Sequence, residues 1–237
     1  MPRALAIETS GRSGSIATVI DGTIAREESF THGLQNAAKI LPIIDQLCRA
    51  QSWTPRDIDE IYVSIGPGSF TGLRIGVTIA KTIALTCGSR IVAVPTVEVL
   101  ARNAPPDARN IVIVLDAKRD QIFTARFSRT TDSEWMTEEP AHLDSLTEML
   151  RRSPRPVHLL GEGIPFHQKF LPADDPEVIV TTPELWQARA TRVAQIGWQM
   201  SRANLFTDAD RLAPVYIRLP EAEEKWNASR SAQVNET

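Results

Sequence analysis

Cysteine and histidine are scarce in this sequence, and neither occurs in a pattern that holds a metal ion. The chain has two cysteines, Cys48 and Cys87, which form no CxxC pair and stand in apolar, helix-like segments. We therefore expect buried thiols in a reducing compartment, and neither a disulfide framework nor a zinc site. The four histidines show neither i, i+4 spacing nor an HExxH pattern. The sequence thus predicts no metal site, and we expect no cofactor.

An excess of positive charge is also missing, as is a long hydrophobic run. The formal net charge is −3, whereas proteins that hold nucleic acid by their own field need clustered lysine and arginine. Any role on RNA would therefore need a partner. No apolar run reaches membrane-spanning length, and the short apolar start, followed at once by Glu8, does not resemble a signal peptide. These features predict a cytoplasmic protein that binds no membrane.

What the chain does have is an ordinary globular composition with room for a large core. It contains 237 residues, of which 42% are apolar and 23% charged. This length suggests one large or two small domains. The Ala104-Pro105-Pro106-Asp107 stretch is the best boundary between them. We expect domains over 1–103 and 104–220, and a disordered tail over 221–237.

The two halves repeat one order of predicted elements: three strands, a helix, a strand and a helix. In the first half, Asp21-Gly22 predicts a tight hairpin, and the first helix is predicted over Leu34–Ala50. In the second half, Glu134–Thr137 predicts a weak strand, and the helices are predicted over His142–Arg152 and Leu185–Ala203. The repetition predicts a duplicated α/β fold with space for a ligand between its halves.

The stretch from Ser64 to Gly76 is the most distinctive motif of the chain. An apolar strand, Ile61–Ile65, enters it and an apolar helix, Leu73–Cys87, leaves it, which predicts strand, loop and helix. Its glycines permit a tight loop, and Ser69 or Thr71 can cap the helix. Free N–H groups at a helix start can hold an anion. The residues of this glycine loop are Gly66, Gly68, Ser69, Thr71 and Gly72.

The predicted helix Leu73–Cys87 is unusually apolar for its length. A stripe of small residues spaced four apart follows one side: Gly72, Gly76, Ala80 and Ala84. The only charged residues are Arg74 and Lys81, so the helix must be covered on nearly every side. Two interpretations stay open. The helix is either buried in its own domain or packs on its own sheet and on a partner as well.

Four segments of the chain carry a family resemblance: Leu5–Ser10, the central Gly66–Gly76 motif, Leu115–Arg119 and Pro214–Arg218. Together they resemble the bacterial TsaB (YeaZ) family of tRNA threonylcarbamoyladenosine biosynthesis proteins, and the central motif is highly specific to it. The resemblance covers about residues 3 to 220. It implies mixed sheets flanked by helices, in two duplicated α/β domains of the ribonuclease H-like superfamily of acetate and sugar kinases, heat-shock ATPases and actin.

The resemblance also implies a function and a binding surface. Members are non-catalytic partners of the transferase TsaD, and with the ATPase TsaE they help to place threonylcarbamoyl on N6 of A37 in tRNA. The two apolar helices contact TsaD or, in its absence, a second copy of the chain. The interface residues carried over are Leu34, Ala38, Leu41, Leu73, Arg74, Gly76, Val77, Ala80 and Ala84. In one departure, Asn36-Ala37-Ala38 stands where members commonly have His-Ser-Glu.

A nucleotide-binding phosphotransferase or ATPase of the same fold is the alternative function. Such an enzyme clasps phosphates between two loops. The first would be a vestigial nucleotide loop of Glu8, Thr9, Ser10 and Ser13. The second, Lys118-Arg119-Asp120, is bulky where approach to phosphate requires small residues. Gly161-Glu162-Gly163 is either the relic of an adenosine-binding turn or a structural turn.

Three further hypotheses are weaker. Glu8, Asp116 and Asp120 could meet across the cleft and bind Mg²⁺ with a nucleotide, but the helical histidine pair that holds the metal in TsaD is missing here. The basic cluster Arg151, Arg152 and Arg155 could touch tRNA in a complex, although a solvated surface is the default interpretation. A plain homodimeric interaction protein would use the same two helices.

Overall fold

The computed structural model describes residues 1–31, 37–130 and 134–218, and the side chains of residues 37 and 38 are not described. Its strands are β1 (Arg3–Glu8), β2 (Ser13–Ile20), β3 (Thr23–Thr31), β4 (Glu60–Ser64), β5 (Arg90–Val94), β6 (Asn110–Asp116), β7 (Ile122–Ser128), β8 (Met136–Asp144), β9 (Val157–Leu160) and β10 (Val178–Val180). Its α-helices are α1 (Ala37–Ala50), α2 (Phe70–Cys87), α3 (Thr96–Ala101), α4 (Leu146–Arg152) and α5 (Ala190–Arg202).

The strands form two five-stranded mixed sheets with the same topology. The first has the order β3-β2-β1-β4-β5, and the second, from its opposite edge, has the order β8-β7-β6-β9-β10. In both, a meander of three antiparallel strands is followed by two strands parallel to the first of them. The prediction of a duplicated α/β fold is therefore confirmed.

The first sheet separates two layers of core. Alternate side chains of each strand point to opposite faces. On one face, Leu5 and Ile61 share a core with α1 and α2. On the other face, Ala6 and Tyr62 share a core with α3, α5 and second-sheet residues such as Phe127. Helices α3 and α5 therefore lie between the two sheets.

Helix α5 follows the second sheet in the chain but packs on the first. It contacts β1, β2, β4 and β5. Gly197 makes this close approach possible, because a Cβ there would lie 2.3 Å from Cγ of Tyr62. The 1–103 and 104–220 division stays a prediction, and the structure adds that the last helix of the second part completes the core of the first.

Several predicted boundaries are wrong for local reasons. The strand expected over Glu134–Thr137 is β8, which runs on to Asp144, paired with Ile122 of β7. Helix α4 therefore begins at Leu146, after the cap Ser145, and not at His142. The last helix begins at Ala190, since Pro183–Leu185 forms a separate 3₁₀ turn. Residue 34, the expected start of the first helix, and the 221–237 tail lie outside the described residues.

The expectation that no apolar run reaches membrane-spanning length is also corrected. Within the described ranges, one helix, α2, is long and apolar enough to cross a membrane by length and composition, with a mean hydropathy of 1.2. A core helix of a globular protein passes the same test. Here α2 contacts β4, β1 and β5, with Leu73 and Ala80 fully buried.

Candidate functional site

The glycine loop joins β4 to α2 and packs directly on the turn between β1 and β2. A Cβ on Gly72 would lie 2.0 Å from the carbonyl oxygen of Thr9, and one on Gly68 would lie 2.5 Å from that of Ser10. The third glycine, Gly66, has a φ of 111°, which favours glycine. These glycines therefore permit close packing between two chain segments.

The same packing occupies part of the predicted anion site. The N–H of Ser69 donates to the carbonyl oxygen of Ser10 at 2.7 Å. Ser69 is the cap of α2, and its side chain accepts from the N–H of Gly72 at 3.2 Å. Thr71, the alternative cap, is an exposed residue of the helix. Two N–H groups at this helix start are thus already bonded within the chain.

The residues of the vestigial nucleotide loop are mostly turned inward. Glu8 and Thr9 are fully buried, Ser10 is 4% exposed, and Ser13 begins β2. One carboxylate oxygen of Glu8 accepts from the N–H of Ser10 at 2.5 Å and from its hydroxyl at 2.6 Å. Burial raises the pKa of Glu8, and these hydrogen bonds only partly offset the rise. The turn is therefore built around a buried carboxyl group.

An open cavity of about 480 Å³ lies between the two halves, where the resemblance predicts a cleft. Its walls are Ser10, Gly11, Arg12, Gly68 and Ser69 from the first half, and Leu115, Asp116, Lys118, Phe123, Glu162, Gly163 and Phe166 from the second. The N–H of Arg12 donates to Oε2 of Glu162 at 2.8 Å. The Arg12 guanidinium lies 4.6 Å above the Phe166 ring. One residue thus ties the two walls together.

Asp116 is the acidic centre of the second wall, and basic groups surround it. The ammonium of Lys118 lies 2.6 Å from Oδ2, and the N–H of Lys118 lies 3.0 Å from Oδ1. Nε2 of His167, a buried ring, lies 3.2 Å from Oδ1. Burial alone would raise the pKa of Asp116, but the bonds from Lys118 and His167 outweigh it and lower the pKa.

The three carboxylates of the hypothetical magnesium site do not come together. Glu8 is bonded to Ser10, Asp116 is bonded as described above, and Asp120 pairs with Lys169 at 2.9 Å. Across residues 1–31, 37–130 and 134–218, no group of three acidic, histidine or cysteine side chains could hold a metal ion. The described residues therefore do not form the hypothetical magnesium site.

The Gly161–Gly163 turn fits the structural interpretation. Gly161 has a φ of 127°, and a Cβ there would lie 2.3 Å from the carbonyl oxygen of Val114. A Cβ on Gly163 would lie 2.5 Å from the nitrogen of Asp116. Both glycines let this turn lie against β6, and the packing of the turn alone accounts for them.

The small-residue stripe of α2 faces the interior of the chain. A Cβ on Gly76 would clash with the turn between β1 and β2, because it would lie 2.4 Å from Oγ1 of Thr9. The predicted interface residues that are buried in the same way are Leu73, Gly76, Val77, Ala80 and Ala84. Their side chains are not on a free surface. Whether α2 binds a partner is a separate matter that depends on its other side.

Only two of the predicted interface side chains are shown on the surface. Arg74 is exposed, and Leu41 of α1 is 60% exposed. Leu34 lies outside the described residues, as does the side chain of Ala38.

The opposite side of α2 is exposed, and sequence reasoning missed it. After the first turn, its outward residues are Arg74, Thr78, Thr82, Leu85 and Thr86, flanked by the half-buried Ile75, Ile79 and Ile83. We call these eight residues the α2 outer face. The sequence signal for this face was the repeat of threonine every four residues, at 78, 82 and 86, which places polar side chains along one side of the helix.

Comparison with known proteins identifies the group to which the chain belongs. Residues 34–226 match the family model of TsaD, tRNA N6-adenosine threonylcarbamoyltransferase. The tRNA threonylcarbamoyladenosine biosynthesis protein TsaB of Bacillus subtilis is 31% identical over 231 residues, which cover 95% of this chain and 98% of that protein. TsaB of Escherichia coli is 30% identical over 139 residues, covering 58% of this chain and 60% of that protein.

Solved structures support the fold. YeaZ from Pseudomonas aeruginosa superposes with a TM-score of 0.75 at 20% identity, covering 91% of this chain and 100% of that one. A second Pseudomonas aeruginosa structure, described as similar to peptidase YeaZ, gives a TM-score of 0.78 at 20% identity, covering 92% and 100%. The predicted fold class is confirmed. The chain therefore belongs, within the group that the TsaD model describes, to the TsaB (YeaZ) family.

Proposed function

We propose that this chain is a non-catalytic subunit in the synthesis of tRNA N6-threonylcarbamoyladenosine at position 37. In this proposal it binds and activates the transferase TsaD, acts together with TsaE, and meets tRNA only through that complex. The names of its relatives place them in this biosynthesis. The cytoplasm is the compartment in which such a subunit would work.

The observation that carries the proposal is the chemistry of the α2 outer face. The helix has 18 residues and no acidic side chain. Of its two cations, Lys81 donates to the carbonyl oxygen of Leu212 at 3.1 Å, which leaves Arg74 as the charge of the outer face. Helices that face water are normally rich in charge on that side. A helix face without acids, bearing a leucine that is 67% exposed, is typical of a protein interface.

Threonine hydroxyls make this face less polar than its composition suggests. Oγ1 of Thr82 donates to the carbonyl oxygen of Thr78 at 2.9 Å, and Oγ1 of Thr86 donates to that of Thr82 at 2.7 Å. The O–H donors of both hydroxyls are therefore used within their own helix. Their methyl groups therefore add to the apolar surface formed by Leu85 and the neighbouring isoleucines.

Helix α1 exposes a second apolar surface on the same side of the first sheet. It covers the same face of the first sheet as α2, and both helices contribute to one core. Leu41 is 60% exposed, and Pro42 beside it is exposed as well. Two neighbouring helices that both expose apolar side chains offer a broader surface than either alone. That surface can serve TsaD or, in its absence, a second copy of the chain.

The cleft gives little support to the alternative of a phosphotransferase or ATPase. Its candidate carboxylates are bonded to neighbouring side chains, and the helix start that would hold phosphate packs on Ser10. The sequence also lacks a helical pair of histidines like the one that holds the metal in TsaD. We therefore assign the chemistry of the complex to the partner.

A matched pair of lysine substitutions tests the proposed surface. Leu85→Lys places a charge on the α2 outer face, and Met136→Lys places one at β8, the edge of the second sheet, where Met136 is 63% exposed. Size exclusion with light scattering, on each variant mixed with the cognate TsaD, should show a complex with Met136→Lys and none with Leu85→Lys. Equal binding by both variants would place the interface elsewhere.

Activation is measured separately. Purified TsaD and TsaE, supplied with an activated threonylcarbamoyl donor, should transfer that group to tRNA faster with the wild-type chain than without it, and Leu85→Lys should lose this effect. Full transfer without the chain would refute the role of subunit. A chain that dimerises but ignores an excess of TsaD would support the plain homodimer, and nucleotide hydrolysis by the isolated chain, lost in Glu8→Ala, would support the ATPase.

A further inference from the structure

The Pro214–Arg218 segment, which neither the cleft nor the proposed interface accounts for, runs from the first half of the molecule to the second. The N–H of Val215 donates to the carbonyl oxygen of Ile65 at 2.7 Å, just before the glycine loop. A Cβ on Gly66 would lie 3.0 Å from the carbonyl oxygen of Val215, so the segment lies directly against that loop. We call residues 214–218 the strap.

The middle of the strap is joined to the first turns of α2. The ring of Tyr216 lies 5.1 Å from that of Phe70, centroid to centroid. Nε of Arg74 donates to the Tyr216 hydroxyl at 3.0 Å, while its guanidinium lies 3.9 Å above the Phe70 ring. Two side chains of α2 and one of the strap thus form a single stack.

The far end of the strap is joined to the second wall of the cleft. The guanidinium of Arg218 donates to the carbonyl oxygen of Ala117 and to the side-chain oxygen of Gln121. The three residues between these two, 118–120, have φ values of 63°, 53° and 57°. Consecutive left-handed residues other than glycine are strained, and surrounding contacts must hold them. Arg218 joins the two ends of this strained turn.

The conformation of the turn determines which charge faces the cavity. Lys118 lines the cavity, with its ammonium 2.6 Å from Asp116 and 5.5 Å from the Phe166 ring. The N–H of Lys118 also donates to Asp116 at 3.0 Å, so the backbone of the turn is held at the same carboxylate. If the turn relaxed, Lys118 would leave Asp116, and the electrostatics of the cavity would change.

We propose that the strap couples the start of α2 to the 117–121 turn. A molecule that contacts Arg74 or Phe70 on the surface then alters the opposite wall of the cleft, through Tyr216 and Arg218. The strap is suited to this role because it lies on the surface, with Val215 42% and Tyr216 39% exposed. The coupling is a property of the free chain and does not depend on the identity of its partner.

Hydrogen exchange in the free chain tests the coupling. Three amides of the turn region report on it: Ala117, which donates to Gln121 at 2.9 Å, Lys118, which donates to Asp116 at 3.0 Å, and Gln121, which donates to Lys118 at 3.0 Å. Arg218→Ala should raise their exchange roughly tenfold or more, as expected for the loss of hydrogen bonds to a charged group. Arg211→Ala is the matched control, because Arg211 is 86% exposed and its ion partner, Asp208, lies in the same segment.

A double-mutant cycle decides whether the strap carries the effect. Arg74→Ala should raise exchange at the same three amides in the wild-type chain and add nothing in an Arg218→Ala background. Unchanged exchange in Arg218→Ala, or an equal effect of Arg74→Ala in both backgrounds, would overturn the proposal. If Arg218→Ala lowers the melting temperature too far for the assay, Tyr216→Phe replaces it. That variant keeps the ring and loses the bond to Arg74, so a turn left unaffected by it would equally overturn the coupling.

Discussion

Gly76→Leu distinguishes the two sides of α2. The structure places Gly76 against the β1–β2 turn, where even a Cβ would lie 2.4 Å from Oγ1 of Thr9 and 3.6 Å from Cγ2 of Ile7. Adding a full side chain to a packed core lowers the free energy of unfolding by about 3 kcal/mol. Leucine gains about 0.8 kcal/mol over glycine in helix propensity. The net loss of about 2 kcal/mol should lower the melting temperature by about 4–8 °C in a chain of this size.

Thermal unfolding of Gly76→Leu beside Thr78→Leu checks this reasoning. Thr78 lies two residues further along the same helix but is exposed, so the same new side chain there should leave the melting temperature nearly unchanged. If Gly76→Leu had the melting temperature of the wild type but did not bind TsaD, the small-residue stripe of α2 would face a partner. A Thr78→Leu protein that melts as low as Gly76→Leu would show that both sides of α2 are buried.

Two further predictions concern the glycine loop and the turn on which it packs. Ser69→Ala removes the cap that accepts from the N–H of Gly72 at 3.2 Å. It should lower the free energy of unfolding by about 1 kcal/mol and the melting temperature by about 2–4 °C. An unchanged melting temperature would contradict the role of Ser69 as a cap. Burial raises the pKa of Glu8 above its ordinary value of 4.5. The folded chain therefore holds the proton of the Glu8 carboxyl group more tightly than the unfolded chain does. As a result, the free energy of unfolding falls as the pH rises from 4.5 towards the pKa of the folded state. Glu8→Gln removes this pH-dependent loss, so in thermal melts the stability of the variant relative to the wild type should rise over the same pH range. A difference in stability that stays constant with pH would refute the raised pKa of Glu8.

Local pattern was enough to predict most of the strands. The alternating or fully apolar runs of β1, β2 and β9, and the Asp21-Gly22 turn with φ values of 51° and 79°, are decided by neighbours in sequence. The start of α4 was predicted wrongly, because the polar stretch ending at Asp144 becomes a strand only through its pairing with β7. The strand depends on pairing with β7, the preceding strand in the chain, and the polar stretch itself carries no signal for that pairing.

The orientation of α2 could not be predicted for a different reason. Apolar residues occupy both of its sides, so periodicity alone does not tell which side faces the sheet. The contact between Gly76 and Thr9 decides it, and these residues are far apart in the chain. The contact between Arg74 and Tyr216 joins residues 142 positions apart, so it could not be predicted from local pattern either. Both residues nevertheless lie in the segments that carry the family resemblance.

The glycines of the central motif link these findings. Because Gly68 and Gly72 carry no side chain, the start of α2 packs on the β1–β2 turn, and the N–H of Ser69 bonds to Ser10 instead of to an anion. The same packing turns the small-residue stripe inward and leaves threonines and Leu85 facing outward. It also places Phe70 and Arg74 where the strap can stack on them. A loop rich in glycine thus serves here to position a helix, which is what the proposed binding function requires of it.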